Sequence, residues 1–364
     1  MKFRRTMSAI CSSALALGLT FLLYPQSQST DGNPAVPTVT PSVTLPLTPA
    51  PTLAAATPEA TAAPTNAPTP TEAPAFVHPL YTKEFTTPTA TVSDLVTAYI
   101  TGYYANDLET ISALVTEPSL LNPVIVKNNT DGVTGVSDIT LYAKPGINGI
   151  FSIVYATYSL SYADSSVKIP QFSEYYIQRN DDGSFLINTS KLPTETQEIL
   201  AEARRTEGVL DLAVSTLIRR YNNACLLGDE TLLKKCVTDP DYLNTSYFAT
   251  RFAYTEYFSD YEFLLHPGIN EFDYLVYVTY NEKIVLIDTP APCLECFYIT
   301  LDETTGKPLI YLGITSLDTD AYCASVNQSE TVQALAKETN QAMTDALLAD
   351  DDLKDFYNRL SSGQ

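Results

Sequence analysis

The chain has 364 residues, and its 42 acidic and 21 basic side chains give it a formal net charge of −21. A surface of that sign repels phosphate backbones, so we expect no nucleic-acid partner. The same charge makes anionic wall polymers poor ligands and leaves peptides and neutral glycans open. No cofactor is expected, because the sequence contains no P-loop, glycine-rich dinucleotide loop, serine nucleophile elbow or metalloprotease helix.

The first 29 residues have the pattern of an export signal. Three basic residues, Lys2, Arg4 and Arg5, precede an apolar run over 7–24. Small residues at Ser27 and Ser29 would suit cleavage after Ser29, and an uncleaved membrane anchor fits the run equally well. On either interpretation the rest of the chain is extracytoplasmic, secreted or anchored at the cell surface, and touches the membrane only through residues 1–29.

Residues 30–80 are predicted to form a disordered stalk. They consist mostly of Pro, Thr, Ala and Val, a composition that buries no core and favours extended polyproline II segments. Such a segment holds a folded domain away from a membrane or passes it through a wall. The alternative is a flexible spacer without a role of its own.

The rest of the chain contains an internal duplication. The sequence PGIN at 145–148 recurs 122 positions later at 267–270, and the same shift aligns 92–177 with 214–299 without a gap. A single repeat of this length indicates tandem domains, since solenoid repeats are much shorter. We therefore expect domains at 88–192 and 194–318, the second including a linker helix, and a helical tail at 327–362.

Each copy is predicted to be an α+β domain with the same order of elements. A helix with apolar residues at a 3-4-3 spacing comes first, and a shorter helix follows Asp107 or Asp229, whose side chains can cap it. Alternating strands at 150–162, 167–179 and 184–189 follow in the first copy. The Pro-Gly pairs mark the turn between strands.

The words YYANDLETISALV and CLLGDETLLKKCV are similar to the opening of the nuclear transport factor 2-like superfamily, in which an acidic residue caps the second helix. The resemblance covers about 91–190 and 213–316. It implies two tandem cone-shaped, cystatin-like α+β domains, each with helices packed on a curved antiparallel sheet, in an exported protein of a Gram-positive cell. The superfamily includes isomerases and dehydratases, and also non-catalytic extracytoplasmic modules of conjugation machinery, so it does not fix an activity.

Candidate binding residues come from the long strand that follows each PGIN turn. On the face predicted to point inward, core packing is the default for the tyrosines and lining of a pocket is the alternative. On the opposite face, the tyrosines would meet the other domain, a partner or solvent. The inward candidates are Ser152, Ala156, Tyr158 and Tyr280, and the outward candidates are Tyr155 and Tyr277.

The two strands also differ in side-chain volume. Ser152 and Ala156 of the first copy correspond to Tyr274 and Val278 of the second. The first cone is therefore expected to keep more interior room and to be the ligand holder, while the second is a packed structural unit.

Cysteines occur only in or after the second copy once the signal segment is set aside. Exported chains often pair cysteines, and five of them would leave one over. The Cys293–Cys296 spacing resembles a metal or redox motif, but positions i and i+3 of a strand point to opposite faces. We expect no metal site and treat these residues as candidates for a long-range disulfide: Cys225, Cys236, Cys293, Cys296 and Cys323.

Three classes of function remain open, and no catalytic residue is assigned. The first is a non-catalytic binding or scaffolding module for a cell-surface or envelope protein, a peptide or a neutral glycan. The second is a subunit of an envelope machine, such as a transfer or wall-synthesis complex, for which an uncleaved anchor would be the mark. The third is a pocket enzyme or small-ligand carrier, which a cavity with a carboxylate beside Tyr158 or Tyr280 would favour.

Overall fold

The computed structural model of the chain describes residues 78–163, 165–244, 248 and 252–362. The predicted export segment and nearly all of the predicted stalk lie outside these residues. Within the described part of the chain, none of the helices combines the length and the apolar character needed to span a membrane.

The first copy begins with helices and ends with an antiparallel sheet of strand order β1-β2-β3-β4. The predicted strands at 150–162 and 167–179 correspond to β2 and β3. The elements are α1 (Ala90–Tyr104), α2 (Leu108–Ala113), α3 (Pro123–Thr130), β1 (Val133–Pro145), β2 (Ser152–Tyr162), β3 (Ser165–Arg179) and β4 (Phe185–Ile187).

The second copy repeats this order with a separate antiparallel sheet, β5-β6-β7-β8. Two separate four-stranded sheets with associated helices make the chain a mixed α+β protein, as the duplication predicts. After α4 (Thr194–Arg204) come α5 (Glu207–Leu227), α6 (Glu230–Lys234), β5 (Thr255–Pro267), β6 (Asp273–Ile284), β7 (Ala291–Leu301), β8 (Pro308–Ile310), α7 (Leu317–Asn327), α8 (Glu330–Ala349) and α9 (Asp351–Ser362).

The PGIN sequences form the turns between the first two strands of each sheet. Pro145 and Pro267 are the last residues of β1 and β5. A Cβ atom at Gly146 would overlap the Ile150 carbonyl group, so only glycine fits there. The repeated motif is therefore kept by the geometry of a tight turn.

The inner face of each sheet packs on the first long helix of its copy. In the first copy, Val96 and Ile100 of α1 are fully buried and belong to one apolar cluster with Val154 and Ala156 of β2. In the second copy, α5 packs in the same way on the inner face of β6 and β7. These two clusters are the inner cores of the two copies.

The outer face of each sheet is covered by the segment that follows the last strand. Helix α4 covers the first sheet, and α7 with the start of α8 covers the second. Tyr155 and Tyr277 therefore have no exposed surface. Neither tyrosine faces solvent or an external partner, because the chain folds back over them. Tyr155 packs with residues of α4 and with Val209, all within the predicted second domain, which is the alternative of contact with the other domain.

The linker helix is not continuous with the first helix of the second copy. Helix α4 ends at Arg204 and α5 begins at Glu207. Helix α5 then lies against β3, where Arg220 Nε donates to the Pro170 carbonyl at 3.0 Å and Asn223 Nδ2 to the Lys168 carbonyl at 2.7 Å. Side chains of α5 thus cover the open edge of the first sheet.

The tail repeats the linker and the first helix of the second copy. Moving α4 and α5 forward by 123 positions places them on α7 and α8. The acidic cap recurs as well, because the Asp107, Asp229 and Asp350 side chains each accept a backbone N–H three residues later at 3.0 Å. Buried residues coincide in three pairs: Leu200 with Cys323, Ala203 with Val326, and Val209 with Val332.

Helix α8 differs from α5 on the side that faces the inner core. In α5 this side carries Val214 and Leu217, which are buried against the second sheet. The corresponding residues of α8 are Lys337 and Asn340, and both are exposed. The tail is therefore a third helix pair that covers the second copy with its apolar side and presents a polar side to solvent, like the end cap of a repeat array.

Candidate functional site

A cleft of about 660 Å³ lies between the two copies, where α5 runs beside β3. Its size is within the range of small-molecule sites. The first copy supplies a wall of aromatic and hydroxyl side chains from α1, β2 and β3: Tyr99, Tyr103, Tyr104, Tyr158, Ser173 and Tyr175.

The opposite wall comes from α5 and from the turn between β7 and β8. Helix α5 contributes small and apolar side chains, among them Val209, Ala213 and Leu217. The turn contributes Gly306 and Lys307. One wall is thus aromatic and hydroxyl-rich, and the other is mostly aliphatic with a charged rim.

The tyrosines are held by hydrogen bonds to one another and to neighbouring polar groups. The Tyr104 and Tyr158 hydroxyls are 3.2 Å apart, and the Tyr158 hydroxyl is 2.9 Å from Ser173 Oγ. Tyr103 accepts a hydrogen bond from Asn129 Nδ2 at 3.0 Å. These contacts fix the positions of the hydroxyl groups before any ligand arrives.

Burial keeps the phenols of Tyr99, Tyr104 and Tyr175 neutral. It raises the pKa of Tyr99 to about 12, and it raises the pKa of Tyr104 and of Tyr175 as well. The hydroxyl groups therefore act as hydrogen-bond donors and acceptors at neutral pH, and not as general bases.

A largely buried ion pair lies at the edge of the cleft. Arg204, the last residue of α4, donates from Nε to Glu174 Oε2 at 2.7 Å and from Nη2 to the Tyr176 hydroxyl at 2.7 Å. Its Nη1 donates to the Thr305 carbonyl of the second copy at 2.6 Å. One guanidinium group therefore ties the first sheet to the turn that closes the cleft.

Glu174 is the acidic residue of this wall. Burial raises the pKa of Glu174, and the adjacent Arg204 charge opposes that rise. Its Oε1 atom and the Tyr155 hydroxyl are both buried, and neither makes a hydrogen bond of good geometry within the described residues, although the Glu174 carboxylate acts on the pKa of Tyr155. A buried acceptor without a donor costs free energy, so this corner of the cleft is under-satisfied.

Three further cations line the cleft: Arg220, Lys235 and Lys307. None of them takes part in the ion pairs found among the described residues. Because Arg204 balances Glu174, the cleft has a local positive charge in a strongly acidic protein.

The corresponding positions of the second copy lack most of these tyrosine hydroxyl groups. Tyr158 keeps a tyrosine counterpart in Tyr280, which is buried in the second core. Three cleft tyrosines are replaced: Tyr103 by Cys225, Tyr104 by Leu226 and Tyr175 by Phe297. The hydroxyl-rich wall is thus a property of the first copy.

The structure brings only one of the sequence-predicted site residues into the cleft. Tyr158 lines it, as the pocket alternative supposed. Ala156 is fully buried in the core, and the Ser152 hydroxyl donates to the Lys144 carbonyl on the neighbouring strand at 3.0 Å. Tyr155, Tyr277 and Tyr280 are buried and do not line it.

Most of the cleft was missed because its residues come from elements far apart in the sequence. One signal was available, namely the tyrosine pairs at 103–104 and 175–176. The aligned pairs of the second copy are Cys-Leu and Phe-Tyr. A pair of aromatic residues on a helix or strand places one of them outside the core, and comparing the copies would have shown where.

The five cysteines form no disulfide among the described residues, and all are buried. Cys293 belongs to the inner core and Cys296 to the outer cluster, which is the opposite-face arrangement that their spacing predicts. Burial raises the pKa of Cys236 and of Cys323 to about 11, so these thiols are poor nucleophiles. Within the described part of the chain, no three His, Cys, Asp or Glu side chains come together as a metal site requires.

The sequence matches no protein-family model, and no curated protein matches it. Among solved structures, an Ntf2-like protein involved in plasmid conjugation is similar over 58% of this chain and 90% of its own length. The sequence identity is 11% and the TM-score is 0.19, and neither number supports a transfer of function to this chain.

Proposed function

We propose that the protein is a non-catalytic binding module, held outside the cytoplasmic membrane on a stalk, whose ligand enters the cleft between the two copies. The observation that carries this proposal is the cleft itself, with its wall of pre-positioned tyrosines. Tyrosine supplies a large contact area and a polar group at little cost in conformational entropy, which suits recognition.

The chemistry of the walls supports binding over catalysis. Burial raises the pKa of Tyr99, Tyr104 and Tyr175, and the carboxylate of Glu174 is engaged by Arg204. The outer sheet faces are covered by α4 and α7, so they are not available to a partner. The helix–helix–sheet order of both copies supports the assignment to tandem nuclear transport factor 2-like domains, as part of the same proposal. An uncleaved anchor would instead favour a subunit of an envelope machine.

Binding can be measured through the protein's own emission, because the chain has 24 tyrosines and no tryptophan. We would titrate the protein with small sugars, amino acids and dipeptides and follow tyrosine fluorescence. Tyr103→Ala should weaken binding at least tenfold, because it removes a cleft ring. Tyr257→Ala removes a partly exposed tyrosine outside the cleft and should leave binding unchanged. Equal losses in both variants would overturn the proposal.

The proposed location has its own test. Protease treatment of intact cells should cut within 30–80 and release a fragment that begins near residue 80. A protein that resists this treatment in intact cells, and is cut only after lysis, is not displayed on the surface. N-terminal sequencing of the mature protein separates a cleaved signal from an anchor.

One observation favours a second candidate function, a pocket enzyme. Glu174 lies in the wall that also holds Tyr158, and burial raises its pKa, as is found for general acids. The two functions differ in what happens to a bound ligand. A binding module returns it chemically unchanged, whereas an enzyme converts it and loses that conversion in Glu174→Gln. NMR spectra of the ligand after incubation decide between them.

A further inference from the structure

We infer that the ligand of the cleft carries an anionic group, a carboxylate or a phosphate, which Arg220, Lys235 and Lys307 receive. This inference rests on the proposal that the cleft is the binding site. It differs from the expectation from net charge, which made anionic wall polymers poor ligands and left peptides and neutral glycans open.

The charges that line the cleft differ in sign from the net charge of the chain. The chain has a formal net charge of −21. Within the cleft, however, four cations stand against one carboxylate, and that carboxylate is paired with Arg204. The remaining three cations form no ion pair among the described residues. Their grouping in one concavity therefore indicates a ligand that supplies the negative charge.

The distance over which charges interact in salt solution favours the cleft cations. Exposed charges farther away than about 8–10 Å are largely screened at physiological salt. An anion inside the cleft therefore interacts chiefly with the cleft cations and only weakly with the acidic surface elsewhere. A concave site also focuses the field of its own charges. The overall charge slows the approach of an anion, and the local charge decides whether it stays.

The cleft cations lie close to the cleft tyrosines. Arg220 and Lys307 line the same cleft as Tyr104 and Glu174. Their charges also act on the pKa values of these two groups. The cations therefore lie beside the aromatic wall and not on a remote rim. A ligand with a ring and an anionic substituent can stack on a tyrosine and still reach a cation.

The test uses three probes that share one ring: glucose, glucuronate and glucose 6-phosphate. Binding is followed by tyrosine emission at low and physiological salt. We expect at least one of the two anionic probes to bind tenfold or more tightly than glucose, and the preference to shrink as salt is added. Comparing the carboxylate with the phosphate identifies which anion the site prefers.

Adjacent lysines provide the control. Lys235 lines the cleft, whereas Lys234 is paired with Glu230 on the surface. The double variant Lys235→Gln/Lys307→Gln should lose the preference for the anionic probe and keep any binding of glucose. Lys234→Gln should keep the preference. Both lysines of the double variant are exposed, so the substitutions leave the core intact.

The outcomes separate this inference from the proposed function. Glucose that binds in the cleft as tightly as the anionic probes overturns the inference and leaves the cleft as the binding site. A preference that survives the double variant, or disappears in Lys234→Gln, also overturns the inference. If no probe and no member of the wider panel perturbs the cleft, the proposed function fails and the inference fails with it.

Discussion

The two copies place different chemistry at the same position beneath the helix that covers each sheet. In the first copy, Arg204 of α4 pairs with Glu174 of β3. The corresponding residues of the second copy are Asn327 and Cys296, and there the Tyr277 hydroxyl donates to Asn327 Oδ1 at 2.6 Å. One fold thus accommodates either a buried ion pair or a neutral hydrogen bond.

The difference between the copies follows from what lies next to each covering helix. Arg204 reaches the Thr305 carbonyl of the second copy, and its two side-chain partners, Glu174 and Tyr176, belong to the wall of the cleft. Asn327 contacts groups of its own copy and tail. A buried charge is a poor source of stability but a good way to fix one arrangement. We infer that the ion pair is kept at the junction because it positions the two copies around the cleft.

The largest expected effect comes from giving the first copy the residue of the second. Arg204→Asn leaves Glu174 buried without its partner, and we expect it to lower the free energy of unfolding by about 3–5 kcal/mol at pH 7. Urea denaturation measures this loss. The double variant Arg204→Asn/Glu174→Cys reproduces the neutral pair and should recover most of it. A double variant as unstable as the single one would contradict this account of the ion pair.

The stability loss in Arg204→Asn should also depend on pH. Because burial raises the pKa of Glu174 in the folded protein above its ordinary value of 4.5, ionisation of this group costs stability as pH rises beyond that value. Arg204 opposes the rise in pKa, so its removal increases that cost. The loss of stability in Arg204→Asn should therefore grow from pH 4.5 towards neutrality. The exposed Arg179→Asn should show no such trend.

The next effect compares α5 with α8. Leu217→Ala should lower the free energy of unfolding by about 2–5 kcal/mol, because Leu217 is buried in the second core. Its counterpart Asn340 is exposed, and Asn340→Ala should change stability by less than about 0.5 kcal/mol. Urea unfolding of both variants tests whether α8 has lost the inner side of the repeat. A large effect at Asn340 would show that it has not.

A smaller effect distinguishes the two buried tyrosines. Tyr277→Phe leaves Asn327 Oδ1 without its donor and should lower the free energy of unfolding by about 1–3 kcal/mol. The Tyr155 hydroxyl makes no hydrogen bond of good geometry within the described residues and interacts only weakly with Glu174, so Tyr155→Phe should cost less than Tyr277→Phe. Thermal unfolding of the two variants shows which of them loses more stability. The reverse order would show that Tyr155 has a partner in solution.

The smallest effect concerns the repeated caps. Hydrogen bonds from the Thr110 side chain and backbone lower the pKa of Asp107, and the backbone of Leu353 lowers the pKa of Asp350. Stability from these carboxylates is therefore present above their ordinary pKa of 3.8 and is lost as pH falls. Asp107→Ala and Asp350→Ala should each lower the urea midpoint slightly at pH 7, and the difference from the unchanged protein should shrink near pH 3. Unequal losses would argue against equivalent caps.

The sequence predicted the duplication, the helix caps, the long strands and the separate sheets, because those depend on local periodicity and on comparing the chain with itself. It did not predict that α4 and α7 cover the outer sheet faces, since an amphipathic helix does not say which sheet it covers. The buried pair of Glu174 and Arg204 was missed for a related reason. Charged residues are mostly exposed, and only the fold brings these two together inside the protein.

The cleft shows the same limit. Tyr158 was among the predicted residues because its strand could be oriented from the alternation of side chains. The cations Arg220, Lys235 and Lys307 come from a helix, the end of a short helix and a turn, all in the second copy. No local pattern connects them to tyrosines of the first copy. Such a site follows only from the packing of α5 against β3.

The central claim is that the cleft on the tyrosine wall of the first copy is the binding site. The most direct measurement is NMR of ring-labelled tyrosines during titration with glucuronate and glucose 6-phosphate. The account predicts shifts for Tyr99, Tyr103, Tyr104 and Tyr158. It predicts no shift for Tyr221 and Tyr280, the counterparts of Tyr99 and Tyr158 that pack in the second core. Shifts confined to the second copy, or equal in both, would contradict it.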